Sequence, residues 1–215
     1  MGSWHRCSTR AATSAPPSST LEQVVRRGTA DQSILVVLAG YLQEAGALPQ
    51  AAQLLEAVIA SHPDYADAHN SLGVVYSRMG RHEQARSAFR KVLDLDPTSA
   101  TAHENLGIDA IGSGDLGAAA DDLTRALELD PRLARAHNAL AAVLLRQGKR
   151  NEAIDHWRTA LQLDPRLYDA LFNLGTSLYA DDRQQARPYL ERFVAEAPPA
   201  RYRADIARVR QMLSR

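Results

Sequence analysis

The chain has one cysteine in 215 residues, Cys7, so no internal disulfide can form. Lysine is nearly absent, with Lys91 and Lys149 the only two, and aromatics make up 6%. The basic load is carried by arginine, which together with abundant alanine points to a GC-rich, bacterial coding sequence. No charge excess of either sign exists: Lys+Arg 25 balances Asp+Glu 25. That argues against a nucleic-acid or anionic-membrane partner. No apolar run approaches the roughly 20 residues that cross a bilayer, so no membrane insertion is expected. The start, MGSWHRCSTRAATSAPPSST, lacks the apolar centre of a secretory leader. Cys7 follows Trp4-His5-Arg6 rather than the apolar stretch of a lipidation site. The expected compartment is the cytoplasm, or an exported setting if the chain is part of a longer precursor. No nucleophile motif, phosphate loop or metal-spaced cluster is present, so no enzyme activity, cofactor or metal is expected.

What the chain has is a period. Pro63, Pro97, Pro131 and Pro165 are each separated by 34 residues, and Pro198 follows after 33. A fixed period of this length marks a repeat architecture. Aligned on the prolines, the units are 32–65, 66–99, 100–133, 134–167 and 168–200. Each holds two apolar-periodic stretches. In the second unit these are Ala68, Leu72, Val75, Tyr76 and Met79, then Ala85, Ala88, Phe89, Val92 and Leu95. Gly46, Gly80, Gly114 and Gly148 punctuate the middle of the units, where glycine ends helices readily. Asp96-Pro97, Asp130-Pro131 and Asp164-Pro165 end the second stretch, because a residue before proline is pushed out of the α region. Residues 1–31 read as a disordered tail rich in Ser, Thr, Ala and Pro, with a short helix over 21–31. After Pro198-Pro199, Tyr202, Ile206, Val209 and Leu213 stripe a last helix, within the segment 201–215.

Small and large residues alternate at fixed places. Gly73, Gly107 and Gly175 recur in the first stretch, with Ala39 and Ala141 at the same position. Ala51, Ala85, Ala119, Ala153 and Ala186 recur in the second. The bulky counterparts are Leu38, Leu72, Leu106, Leu140 and Leu174, then Leu55, Phe89, Leu123, Trp157 and Leu190. Such alternation lets paired helices pack densely.

On these residues, over 32–200, the chain resembles the tetratricopeptide repeat family. The resemblance implies an all-α, right-handed superhelical solenoid of five helix pairs. The final helix, 201–215, would cap its open apolar end. It departs from the pattern at Ala39, which stands where glycine is usual. It departs again at Ala180-Asp181-Asp182-Arg183, where the fifth unit is one residue short.

His69, His103 and His137 also follow the period. Equivalent positions on stacked helices lie about 10 Å apart, too far to share an ion whose ligands sit at about 2 Å. In the family this position holds an aromatic that packs between the two helices, and that is the role expected here.

The resemblance further implies that the first helix of each unit lines a concave groove. By position this places Val36, Val37, Asn70, Ser71, Val74, Arg78, Glu104, Asn105, Ile108, Arg135, Asn138, Ala142, Arg146, Phe172, Asn173, Thr176 and Tyr179 on it. The four asparagines offer donors and an acceptor to the backbone of an extended peptide. Val74, Ile108 and Phe172 offer apolar pockets, and Arg135 and Arg146 could meet acidic side chains. The expected function is a non-catalytic scaffold or adaptor that holds a segment of another protein. The family's carboxylate clamp for chaperone tails is incomplete, since Val74 and Ala139 stand where a polar residue and a cation belong.

Two alternatives stand beside this reading. One is an accessory region of a larger, for example sulfatase-like, enzyme. The other is a homo-oligomer assembled head to tail, because unit 100–133 carries net −5 and unit 134–167 net +3.

Overall fold

The computed structural model describes residues 31–214. Apart from Asp31, the tail over 1–31, its expected short helix and Cys7 lie outside the described residues. Among the described residues there are eleven helices and no strand. They are α1 (Gln32–Glu44), α2 (Leu48–Ser61), α3 (Ala66–Arg78), α4 (His82–Leu95), α5 (Ala100–Ser113) and α6 (Leu116–Leu129). Then come α7 (Ala134–Arg146), α8 (Arg150–Leu163), α9 (Tyr168–Tyr179), α10 (Arg183–Glu196) and α11 (Pro199–Leu213). The fold is all-α: five helix pairs followed by one more helix.

The chain divides into two compact units, Met1–Leu72 and Gly73–Arg215. In the first, α1 packs on α2. Ala39, Ala51, Leu55 and Val58 are fully buried and Leu35 nearly so, whereas Leu38 is only half-buried. In the second unit each first helix packs on its own second helix and on the second helix of the pair before it. The core runs from Ala110 to Val209 through Leu123, Trp157, Leu171, Leu174, Leu190 and Phe193.

The turn inside a pair is built the same way four times. The residue after each glycine donates its N–H back to a carbonyl five positions earlier. The bonds are Ala47 to Leu42 (2.8 Å), Arg81 to Tyr76 (2.8 Å), Asp115 to Ala110 (2.9 Å) and Lys149 to Leu144 (2.9 Å). This closing bond needs a left-handed residue within it. Glycine supplies it, with φ of 77°, 73°, 87° and 80° at Gly46, Gly80, Gly114 and Gly148. The fifth pair has no such glycine. There α9 ends at Tyr179, and Asp182 caps α10 by accepting from the Gln185 N–H at 2.9 Å.

Between pairs the Asp-Pro step is extended: Asp96, Asp130 and Asp164 have φ near −138°, −140° and −129°. Each carboxylate then accepts the N–H of the residue after the proline, at 2.9 Å from Thr98, Arg132 and Arg166. The aspartate thus shapes the turn that the proline begins. The last helix opens at Pro199, two residues before Arg201, because proline fits the first helical position where no N–H is needed. Tyr202, Ile206 and Val209 are buried and Leu213 is half-buried.

Candidate functional site

Close approach of the two helices in a pair rests on a missing side chain. A Cβ on Gly107 would lie 2.5 Å from Leu123 Cγ and 3.2 Å from the Ala119 carbonyl. One on Gly175 would lie 2.5 Å from Leu190 Cδ2. The histidines reinforce the same joint. His103 Nδ1 sits 2.9 Å from Asp122 Oδ1, and His137 Nδ1 sits 2.9 Å from His156 Nδ1. His137 Nε2 bonds the Pro131 carbonyl at 3.0 Å, as His69 Nε2 bonds that of Pro63 at 2.7 Å. These rings tie a first helix to its second helix and to the loop before it. Among the described residues no group of three or more ligand-type side chains could hold a metal ion.

In the second unit, the predicted site residues sit on one face of α3, α5, α7 and α9, but their surroundings differ. Val74 and Ile108 are half-buried, and Arg78, Arg135 and Arg146 are exposed. Asn105 is buried, at 7% exposure. Asn138 Oδ1 accepts the indole N–H of Trp157 at 3.1 Å, so its carbonyl is already committed. Asn173 is half-buried. Asn70 belongs to the first unit and is also half-buried. The asparagines therefore do not form a uniform ladder of open amides. The sequence reading missed Leu145, which is 40% exposed beside Arg146. The signal was available, since Ile111 precedes it and Tyr179 follows it by one period.

Glu104 lies on the same face, 3% exposed, with one carboxylate oxygen 3.8 Å from Arg135 Nη1. Its other oxygen has no hydrogen-bond partner. Burial raises its pKa above the usual carboxylate value, opposed by Arg135 and by the Ala136 N–H.

At the α9 end the face is covered by the last helix. Tyr179 donates its hydroxyl to the Met212 carbonyl at 2.5 Å. Arg208 lies over the Phe172 ring at 6.0 Å. Arg201 and Tyr202 hold the two oxygens of Asp169 at 3.0 and 2.9 Å. Thr176 spends its hydroxyl on its own helix, 2.7 Å from the Phe172 carbonyl. Phe172, Thr176 and Tyr179 are thus occupied, whereas Arg135, Leu145 and Arg146 on α7 are exposed.

Both arginines of α8 are used within the fold. Arg150 pairs with Asp181 and the Ser177 carbonyl, and Arg158 reaches Asp155 at 3.3 Å and Gln185 at 3.2 Å. Among the described residues no helix is long and apolar enough to cross a membrane.

Repeated antiparallel helix pairs, joined by a glycine turn and packed through a Gly/Ala–bulky contact, define a helical-repeat protein. Sequence models described as tetratricopeptide repeat match residues 36–100, 134–167 and 169–200. Together these matches cover more than half of the chain, and it belongs to the tetratricopeptide repeat family. No curated protein matches the sequence. Among solved structures, PilF of Pseudomonas aeruginosa is 20% identical, with TM-score 0.70, and the match covers 93% of each chain. MamA is 24% identical, with TM-score 0.59, over 80% of this chain and 94% of MamA. YrrB, described as a TPR protein with an unusual peptide-binding site, is 21% identical with TM-score 0.56. That match covers 84% of this chain and 94% of YrrB. At these identities the likeness is one of fold.

Proposed function

We propose that the chain is a non-catalytic scaffold that holds an extended segment of a partner protein on the first-helix face of α5 and α7. The observation that carries this reading is Leu145. It is a leucine 40% exposed on a packed helix, next to the exposed guanidinium of Arg146. Half-buried Ile108, Ile111 and Ala142 continue the apolar surface by position. An apolar patch rimmed by charge is the usual make-up of a protein-binding surface. Repeat proteins present such surfaces along their stacked units. The segment that fits alternates apolar and acidic side chains, the apolar ones set on Leu145 and Ile108 and the acidic ones facing Arg146 and Arg135. YrrB, a relative in fold, is described as having a peptide-binding site, which supports this use of the architecture.

A displayed library of random peptides, selected on the full chain, tests the proposal. Sequences mixing apolar and acidic residues should be enriched. Their affinity should drop about tenfold or more on Leu145→Asp, as for a buried interface anchor, with the thermal melt unchanged. Enrichment of no such class, or binding indifferent to Leu145→Asp and Arg146→Glu, removes the proposal.

A further inference from the structure

Glu104 is an ionisable group at a place where the repeat does not need one. One period apart along the chain stand Val36, Asn70, Glu104, Asn138 and Phe172. Every other pair fills that position with a side chain that carries no charge. The packing of a first helix is therefore met there without a carboxylate. Burying one is costly unless its oxygens are paired.

The pairing of Glu104 is incomplete. The residue is 3% exposed, and Oε1 is buried with no hydrogen-bond partner. Oε2 has Arg135 Nη1 at 3.8 Å, longer than a charge-assisted hydrogen bond. Arg135 stands in the first turn of α7 and keeps 61% of its side chain exposed. A guanidinium has five donors, so Arg135 has donors left for a group arriving from solvent.

Burial acts most strongly on Glu104 and favours its neutral form. Among the described residues the charged groups acting on it are Arg135, which favours the carboxylate, and Asp130, which opposes it. Asp130 lies in the turn before α7, where it accepts the Arg132 N–H. A further negative charge brought to Arg135 adds to the effect of Asp130. The peptide-binding reading brings one, because it sets an acidic side chain of the partner against Arg135.

We propose that Glu104 is a specificity-determining residue of that face, which takes up a proton from solvent when an acidic segment binds. The inference rests on the peptide-binding reading and adds to it the regulation of the site. Two carboxylates then share one guanidinium, and the buried one is the costlier to keep charged. Glu104 is neutral in the complex over a pH range in which it is ionised in the free chain. Within that range the complex holds one more proton, so the segment binds more tightly as pH falls. The range lies above the ordinary carboxylate value of 4.5. A segment without acidic side chains brings no such dependence.

A synthetic peptide of alternating leucine and aspartate, titrated into the full chain, tests it. Carbon-13 spectra of the side-chain carboxyls follow Glu104, whose resonance is the one missing from Glu104→Gln. The peptide should move the Glu104 midpoint upward. The same peptide with asparagine in place of aspartate should leave the midpoint where it was. Affinity of the parent for the aspartate peptide should rise about threefold or more between about pH 7.5 and 5. In Glu104→Gln the affinity should be higher at the upper pH and should change less. In the free chain, Arg135→Gln should itself raise the Glu104 midpoint. A bound aspartate peptide with an unmoved midpoint, or an equal shift from both peptides, overturns the inference and leaves the binding face in place. So does a midpoint indifferent to Arg135→Gln. Failure of the aspartate peptide to bind removes the binding face, and this inference with it.

Discussion

The indole N–H of Trp157 on α8 donates to Asn138 Oδ1 on α7 at 3.1 Å, joining the two helices of the fourth pair. Trp157 is 1% exposed, so no water replaces a lost acceptor. Asn138→Ala should therefore cost about 1–3 kcal/mol, the range for orphaning a buried donor. Asn173→Ala, at a half-buried position with no such indole above it, should change stability by less than about 0.5 kcal/mol. Urea unfolding of the two variants checks the contrast. Equal effects would mean that the indole bond contributes nothing.

Two glycines should respond in opposite directions to the same substitution. At Gly107 an added Cβ meets Leu123 Cγ at 2.5 Å and a backbone oxygen at 3.2 Å. Gly107→Ala should destabilise the chain, and Gly107→Leu should cost about 1–3 kcal/mol or more through overpacking. At Gly40, inside α1, nothing lies within 4 Å of the added atom. Gly40→Ala should stabilise by about 0.5–1 kcal/mol, because alanine loses less backbone freedom in a helix. Thermal melts of the three variants decide it.

The period and its punctuation made the helix pairs readable, because each rests on a local rule: the residue before proline, glycine at a left-handed turn, small against bulky. Burial of Asn105 and the bond from Trp157 to Asn138 were not readable. They depend on which way a polar side chain turns between two helices, and no spacing rule encodes that. The same holds for Tyr179. Its position places it on the first-helix face, but the Met212 carbonyl of the last helix takes its hydroxyl. Leu145 was legible from its register with Ile111 and Tyr179, but its 40% exposure depends on packing that the register does not encode.

The His137–His156 contact makes stability depend on pH near neutrality. His137 Nε2 faces the Pro131 carbonyl and so donates; its Nδ1 then accepts from His156 Nδ1–H when both rings are neutral. Burial lowers the His156 pKa below 6.5, and the nearby His137 lowers it further, against Asp155 and Glu152. In the window between that lowered value and 6.5 the unfolded chain binds more protons, so stability rises with pH. The contribution is full above pH 6.5 and is lost as pH falls through the folded pKa. His156→Gln should flatten the profile of urea midpoints between about pH 5 and 7. A profile identical to the parent's would mean that another group sets the dependence.

At alkaline pH the last helix should report on itself. Tyr202 is 7% exposed, its hydroxyl donates to Asp169 Oδ1 at 2.9 Å, and its pKa is pushed up to about 12 by burial and then by that carboxylate. Ionising it removes the donated proton and sets phenolate against carboxylate. The folded pKa lies above the usual 10, so its contribution is present below pH 10 and is lost as pH rises through about 12. Tyr202→Phe removes the bond and should cost about 1 kcal/mol at neutral pH, with the ring contacts to Phe193 and Tyr168 kept in place. The variant's urea midpoint should then fall less than the parent's between pH 10 and about 12. If the two fall in parallel, the Tyr202–Asp169 bond does not hold the last helix to α9.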